Sequence, residues 1–318
     1  MSLCIGIDTS SYTTSVACVD NGSVLFEKRT VLSVPMGQRG LRQSEALFQH
    51  NKNLPALLEA LFDQVQGQEM QAVGVSVSPT DRPGSYMPVF LAGKLAAVAV
   101  AGALRVPLTE TSHQIGHIRA ALYGNEQLFK LERFLAVHLS GGTTDVLMVE
   151  PWRNRQLSLR PLGASCDLHA GQFVDRVAVR LGTPFPGGKH LEELALLATN
   201  RDMRIPSSVN GANISFSGAE SAAMRLTDSA EPAEIAWAVY DCLARTLCKW
   251  LLYLSQQTGC NEVLLSGGVA SSALLRTLLL ERVQSRLSLT FGQSVYSSDN
   301  ALGVALTAFD RLEGGDAI

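Results

Sequence analysis

Two histidines stand four residues apart in His113-Gln114-Ile115-Gly116-His117. On a helix that spacing puts both imidazoles on one face, about 6 Å apart at Cβ, close enough for one metal ion to bridge them. Gln114 occupies the place where a His-Glu-x-x-His protease carries its general base, so peptide hydrolysis is not implied. The spacing is common by chance, but two of the chain's six histidines fall in this one stretch. Asp299, in Ser297-Ser298-Asp299-Asn300, could complete a histidine–carboxylate set of the kind that suits iron or zinc. His138, inside an apolar strand-like run, is either a further ligand or a hydrogen-bonded core residue.

A second group of residues could hold phosphate. Tight turns rich in Gly, Ser and Thr point backbone N–H groups outward and let an anion approach closely. Three such turns follow apolar strands: Asp8-Thr9-Ser10-Ser11, Ser140-Gly141-Gly142-Thr143 and Ser266-Gly267-Gly268. The third leads towards a helix, whose N-terminus would add an anion contact. One Gly-Gly turn alone is usually just a hairpin; three in one α/β chain are more specific. Asp8 and Ser10 are the candidate catalytic residues; Asp8, at the end of the first strand, could hold magnesium or a water beside the phosphates, or be an N-cap or turn aspartate. Asp175, at an apparent helix start, could accept from a ribose hydroxyl or decorate a helix face.

The elements that must position these residues alternate between strand and helix, which implies an α/β fold. Strand-like runs cover Cys4–Val19 in two pieces, Phe134–Leu139, Val146–Val149 and Val263–Leu265; helices are predicted over Glu45–Gln64, Val89–Ala103, Gly171–Leu181, Ala233–Gln257, Ser271–Arg282 and Ala301–Arg311. The first two turn segments are weak copies of one another, beginning roughly 130 residues apart, so the domain is read as duplicated. The expected division is 1–130 and 131–299, followed by a C-terminal helix in 300–318. The 318 residues suit two domains. The longest apolar run, Val89 to Leu104, is broken by Lys94 and is shorter than the roughly 20 residues a bilayer needs, so no membrane association is expected. The six cysteines are scattered without a Cys-x-x-Cys pair and read as reduced thiols; with no leader at the N-terminus, a cytoplasmic protein is expected. A net charge of −3 with no basic stripe means that any large RNA would need local arginines or a partner's help.

Taken in order, Gly6-Ile7-Asp8-Thr9-Ser10, His113-x-x-x-His117, Ser140-Gly141-Gly142-Thr143-Thr144, Gly171-x-x-x-Asp175, Pro186-Gly187-Gly188, Ser215-Phe216-Ser217-Gly218, Ser266-Gly267-Gly268-Val269 and Ser298-Asp299-Asn300 resemble the TsaD family, formerly described as glycoproteases. The resemblance runs from Ile5 to about Phe309. It implies the actin/Hsp70-like ATPase (ASKHA) fold, with two duplicated α/β domains around a nucleotide cleft and the C-terminal helix of 300–318 packing back on the first domain. It also implies transfer of threonylcarbamoyl from its adenylate to N6 of the adenosine 3′ of a tRNA anticodon. By the same resemblance His113, His117 and Asp299 ligate iron or zinc, and some relatives have a tyrosine ligand where His138 stands. Leu139, Ser140, Gly141, Gly142, Thr143, Asp175, Gly187, Gly188, Gly267, Gly268 and Ser272 are the expected contacts of an adenine nucleotide, ATP or acyl-adenylate, with magnesium a further candidate. Partner proteins of the TsaB/TsaE type and a dimer are expected on the same ground. The chain departs from bacterial members in carrying Asp8-Thr9-Ser10-Ser11-Tyr12-Thr13-Thr14 for Glu-Thr-Ser-Cys-Asp-Glu-Thr, and Ser272 for an asparagine. These departures imply a paralogue with a retained metal site and a changed donor or acceptor; the further alternative is a non-catalytic TsaD-like scaffold subunit.

Overall fold

The apolar run at the N-terminus extends into β1 (Leu3–Ser10), a strand buried along its whole length. In this computed structural model, residues 2–10, 12–34, 41–153 and 156–314 are described. Ser11 of the first turn and residues 315–318 of the expected C-terminal helix fall outside them. The chain divides into two units: Met1–Phe129 with Pro151–Leu159 and Ser298–Ile318, and Lys130–Glu150 with Arg160–Ser297. Pro151–Leu159, Ser298 and Asp299, assigned to the second domain on sequence grounds, therefore fall in the first unit.

In the first unit β1 is followed by β2 (Thr13–Asp20), β3 (Ser23–Val31), α1 (Gln43–Gln64), β4 (Met70–Ser78), α2 (Phe90–Leu104), β5 (Leu108–Ser112) and α3 (His113–Ala121). The sheet order is β3-β2-β1-β4-β5; β1 pairs antiparallel with β2 and parallel with β4. Period-two alternation sorts the residues of β1 onto two faces. Ile5 and Ile7 join Leu54, Leu57 and Leu61 of α1 and Ala92, Ala97 and Ala101 of α2 in one apolar cluster. Thr9 belongs to the same face: its Oγ1 donates to the Val89 carbonyl (3.0 Å) and accepts from the Gly93 amide (3.1 Å). Gly6 and Asp8 point the other way.

That other face carries a helix laid almost directly on the strands. A Cβ at Gly6 would lie 2.4 Å from the Ala301 carbonyl oxygen, and one at Gly74, its partner across β1 and β4, 2.6 Å from that of Val304. The missing side chains admit the chain's last helix, which carries Val304 and returns to this unit.

One buried group on the α1 face has a measurable consequence. Asn53 donates to Thr14 Oγ1 (3.2 Å), which is also hydrogen-bonded to His50 Nδ1 (2.9 Å). Nε2 of the ring is buried without a hydrogen-bond partner. Burial, opposed by the Asp8 charge, pushes the His50 pKa down to about 4. The unfolded chain takes up this proton below about pH 6.5 and the folded chain does not, so stability is full above that pH and falls towards pH 4. The loss should reach up to about 3 kcal/mol, and urea unfolding of His50→Gln should show a flatter pH dependence over the same window. Parallel wild-type and variant curves would contradict it.

In the second unit, β6 (Phe134–Leu139), β7 (Thr144–Arg153), β8 (Gln156–Ala164), α4 (Ala170–Arg180), α5 (Gly188–Leu196), β9 (Ser208–Asn210), β10 (Asn213–Ser215), α6 (Ser217–Leu226), α7 (Pro232–Thr258), β11 (Glu262–Ser266), α8 (Ala273–Val283) and β12 (Ser288–Phe291) follow in order. The last helix, α9 (Leu302–Glu313), belongs to the first unit. The second main sheet runs β12-β11-β6-β7-β8, the strand plan of the first sheet repeated. The two weak sequence copies are β1–β2 and β6–β7, each an antiparallel pair continued by parallel strands. Helices α5 and α6 escape the periodicity reading because each is short and starts inside Gly- or Ser-rich sequence that resembles a turn.

Candidate metal centre and phosphate turns

The His-x-x-x-His stretch begins as β5 ends. Ser112 N-caps α3, its Oγ accepting from the Ile115 amide at 3.2 Å, so His113 is the first helical residue. The helix packs on α9 at glycine: a Cβ on Gly303 would lie 1.8 Å from the Gly116 carbonyl oxygen. One turn on, Arg119 grips Asp310 of α9 with two hydrogen bonds of 2.6 and 3.1 Å. The loop entering α9 is thereby held at the start of α3, with Arg29 Nη1 of β3 donating to Ser298 Oγ at 2.6 Å.

This packing gathers His113, His117 and Asp299, with one ligand atom of each within 4.8 Å of the others. His113 Nε2 and His117 Nε2 are 2.9 Å apart; Asp299 Oδ1 lies 3.6 Å from the first and 3.3 Å from the second. The three converge on one point with two imidazole nitrogens and one carboxylate oxygen, a donor set that fits Zn²⁺ or Fe²⁺. The Asp299 side chain keeps 29% of its exposure, so the group is open on that side.

Electrostatics at the site favour a cation. Burial alone would raise the Asp299 pKa, but hydrogen bonds from His113 and His117 and their charge hold it well below the usual carboxylate range. Burial works against a charged His113 ring too, yet Asp8 and Asp299 outweigh it and push its pKa up to about 10. A ring flanked by two carboxylates holds its proton in a place where a metal ion would supply the positive charge instead.

Asp8 and Ser10 both belong to β1. Both are buried, and Asp8 has no exposed surface. Asp8 Oδ1 lies 3.1 Å from His113 Nδ1 and accepts from Ser76 Oγ, while Oδ2 accepts from Ser10 Oγ at 2.6 Å. The cause is the alternation of β1, which turns the carboxylate to the α3 face instead of into the turn. Ser76, a hydroxyl in the apolar strand β4, was overlooked; a lone polar residue among Val73, Gly74 and Val75 was the available signal. The Gly116–Gly303 contact and the Arg119–Asp310 pair had no signal in sequence. Among the described residues His138 is not in the group of three; it lies on β6, in the second unit.

The other candidates lie in that second unit. Ser140 folds the β6–β7 turn on itself, its Oγ accepting from the amides of Gly142 (3.2 Å) and Thr143 (3.0 Å). Around the end of β6, Gly171 donates to the Ser140 carbonyl, and a Cβ on Gly267 (φ +95°) would lie 2.3 Å from the Leu139 carbonyl oxygen. Leu139, the Ser140–Thr143 turn and Gly267 are thus neighbours, and a Cβ on Gly141 or Gly142 would meet only open space. The Gly267-Gly268 turn does not open a helix directly. A short 3₁₀ turn, Val269–Ser271, intervenes, and Ser272 caps α8 by accepting from the Leu275 amide at 3.1 Å. Asp175 Oδ1 accepts from the Gly187 amide at 2.8 Å, and Tyr240 donates to the Gly188 carbonyl at 2.9 Å, fixing the start of α5.

The family model of tRNA N6-adenosine threonylcarbamoyltransferase, TsaD, matches residues 33–306. The chain belongs to the TsaD family. A tRNA N6-adenosine threonylcarbamoyltransferase of Methanopyrus kandleri is 29% identical over 89% of this chain and 80% of its own. One from Neorickettsia sennetsu is 27% identical over 98% and 94%. Among solved structures, T. kodakarensis HypF matches with a TM-score of 0.60 at 14% identity, covering 98% of this chain and 48% of HypF. A Clostridium difficile activator of 2-hydroxyisocaproyl-CoA dehydratase, solved with ADPNP, matches at 0.55 and 15%, over 98% and 96%. These structural likenesses establish the ASKHA fold of this TsaD-family chain and nothing of its activity.

Proposed function

We propose that the protein transfers a threonylcarbamoyl group from threonylcarbamoyl-adenylate to N6 of the adenosine 3′ of a tRNA anticodon, using a divalent ion held by His113, His117 and Asp299. The observation that carries this is the convergence of those three ligands in a chain of the TsaD family. In the reaction the N6 amine attacks the carbamoyl carbon, the bond from that carbon to the adenylate phosphate oxygen breaks, AMP leaves with the electron pair, and N6 gives up one proton. When bound, zinc or iron supplies Lewis-acid polarisation of the carbamoyl carbonyl.

The chain's own part is to bind and orient. With the Gly142 and Thr143 amides taken by Ser140 Oγ, the Gly141 amide and those of the Gly267-Gly268 turn are the proposed donors to the adenylate phosphate, with or without magnesium. Gly187, Gly188 and Ser272 are the proposed nucleoside contacts, with Asp175 holding the Gly187 amide in place as well as facing the ribose. Partner proteins of the TsaB/TsaE type fit the exposed apolar residues of α2, Leu91, Leu95 and Val98, which a partner helix would cover. Among the described residues no helix is long and apolar enough to cross a membrane.

The test incubates zinc- or iron-loaded protein with partner proteins, threonine, bicarbonate, ATP and tRNA, and seeks N6-threonylcarbamoyladenosine by mass spectrometry. Product that disappears with the metal is expected. No product, under conditions where another family member yields it, would exclude the tRNA reaction. The substitution of Tyr12 and Thr13 for an acidic pair favours one second reading, the same transfer to a different acceptor. That reading expects hydrolysis of the adenylate or a new carbamoylated small molecule in place of modified tRNA.

A further inference from the structure

We infer that Asp8 is a positioning residue, acting through His113: held by Ser76 and Ser10, it accepts a hydrogen bond from Nδ1–H and leaves Nε2 free to bind the metal. This rests on the metal reading above and adds residues to it. Asp8 lies outside the group of three ligand atoms, so it is placed behind the ring and not on the ion. Its Oδ1 faces His113 Nδ1 at 3.1 Å, the side of the imidazole away from His117 and Asp299, which meet Nε2. Its two oxygens are also taken by hydroxyls: Ser76 Oγ donates to Oδ1, and Ser10 Oγ to Oδ2 at 2.6 Å with the Ser10 amide behind it at 3.4 Å.

Packing alone does not account for this carboxylate. Its neighbour on the same face of β1, Gly6, is covered by the backbone of α9. A carboxylate without exposed surface is costly unless it is paired and hydrogen-bonded. Ser76 and Ser10 satisfy its lone pairs, and the remaining partner is His113. The serines come from two strands, β4 and β1, so the carboxylate is aimed from two directions and the ring cannot rotate without breaking its bond to Oδ1. A carboxylate donated to in this way fixes the tautomer and raises the basicity of the far nitrogen; losing such a partner typically weakens metal binding by 10–100-fold.

The experiment is a chelator competition for Zn²⁺ with the full chain, paired with Co²⁺ absorption spectra and unfolding of the metal-free protein. Asp8→Asn keeps size and one acceptor oxygen for His113 but loses the charge and the acceptor facing Ser10, and should weaken zinc by about tenfold; Asp8→Ala should approach 100-fold and Ser76→Ala a few-fold. The Co²⁺ bands of Asp8→Asn should match wild type, because the ligands themselves are unchanged. A purely structural role would lower the unfolding midpoint and leave zinc affinity alone; affinity of Asp8→Asn within twofold of wild type would therefore overturn the inference. Changed Co²⁺ bands would overturn it too, by making Asp8 a ligand. Should Asp8→Ala fail to fold, Asp8→Asn and Ser76→Ala carry the test. Wild-type protein that holds zinc no better than His117→Ala/Asp299→Ala would instead sink the metal reading itself.

Discussion

His113→Ala should lose the metal and about 3–5 kcal/mol of folding stability, whereas His117→Ala should lose the metal at about 1–2 kcal/mol. The two histidines share one face of α3 and one proposed ion, but only His113 faces Asp8. Removing it leaves a fully buried carboxylate with two hydroxyls and no positive partner, and an uncompensated buried charge is among the most costly changes a fold can suffer. His117 meets His113 and Asp299, whose side chain keeps 29% of its exposure, so removing that ring strands no fully buried charge at these two contacts. Transfer activity should fall by about a thousandfold or more in either variant, as expected when several kcal/mol of charge stabilisation is withdrawn. Metal content and urea unfolding of metal-free protein measure the two effects separately. The double variant Asp8→Asn/His113→Ala should recover most of the stability, because no charge is then stranded. Equal destabilisation by His113→Ala and His117→Ala would show that the Asp8–His113 pair carries no special energy.

Gly303→Ala should be more damaging than its one added carbon suggests. That carbon would lie 1.8 Å from the Gly116 carbonyl oxygen and 2.8 Å from the Ala120 amide nitrogen, both backbone atoms that cannot swing aside. The two helices must separate, and the Arg119–Asp310 pair and the approach of Asp299 to the histidines depend on their contact. A loss above about 4 kcal/mol is expected, with weakened zinc binding in whatever remains folded. Gly102→Ala, in the last turn of α2 with nothing within 4 Å, provides the contrast: it should be neutral or stabilising by up to about 1 kcal/mol. Thermal unfolding of the pair, beside zinc titration, decides the matter. If both substitutions were equally mild, the close helix crossing would not be what assembles the ligands.

What could be read before folding was local. Strand periodicity, the Gly-rich turns and the spacing of His113 and His117 are properties of neighbouring residues, and β1, β6, β11 and α3 follow from them. The repeated strand plan was legible because β1–β2 and β6–β7 carry similar residues, and helix lengths were legible where apolar residues recur at 3.6. The short helices α5 and α6 were hidden by turn-like openings, and the 3₁₀ turn after Gly268 by the leucines that follow it.

What only the tertiary structure decided is which groups face each other. Asp299 is a candidate ligand because a carboxylate beside two histidines suits one metal ion, and by resemblance; no local pattern links it to a helix about 180 residues earlier. Its arrival at His113 and His117 depends on glycines that let α9 lie against both the sheet and α3. Asp8 reads as a turn residue in one dimension. In three, the alternation of a strand buried on both faces directs it to the back of an imidazole, where Ser76 from a neighbouring strand meets it. Periodicity sets the face on which a side chain emerges; the partner it meets there is set by packing between elements distant in the chain.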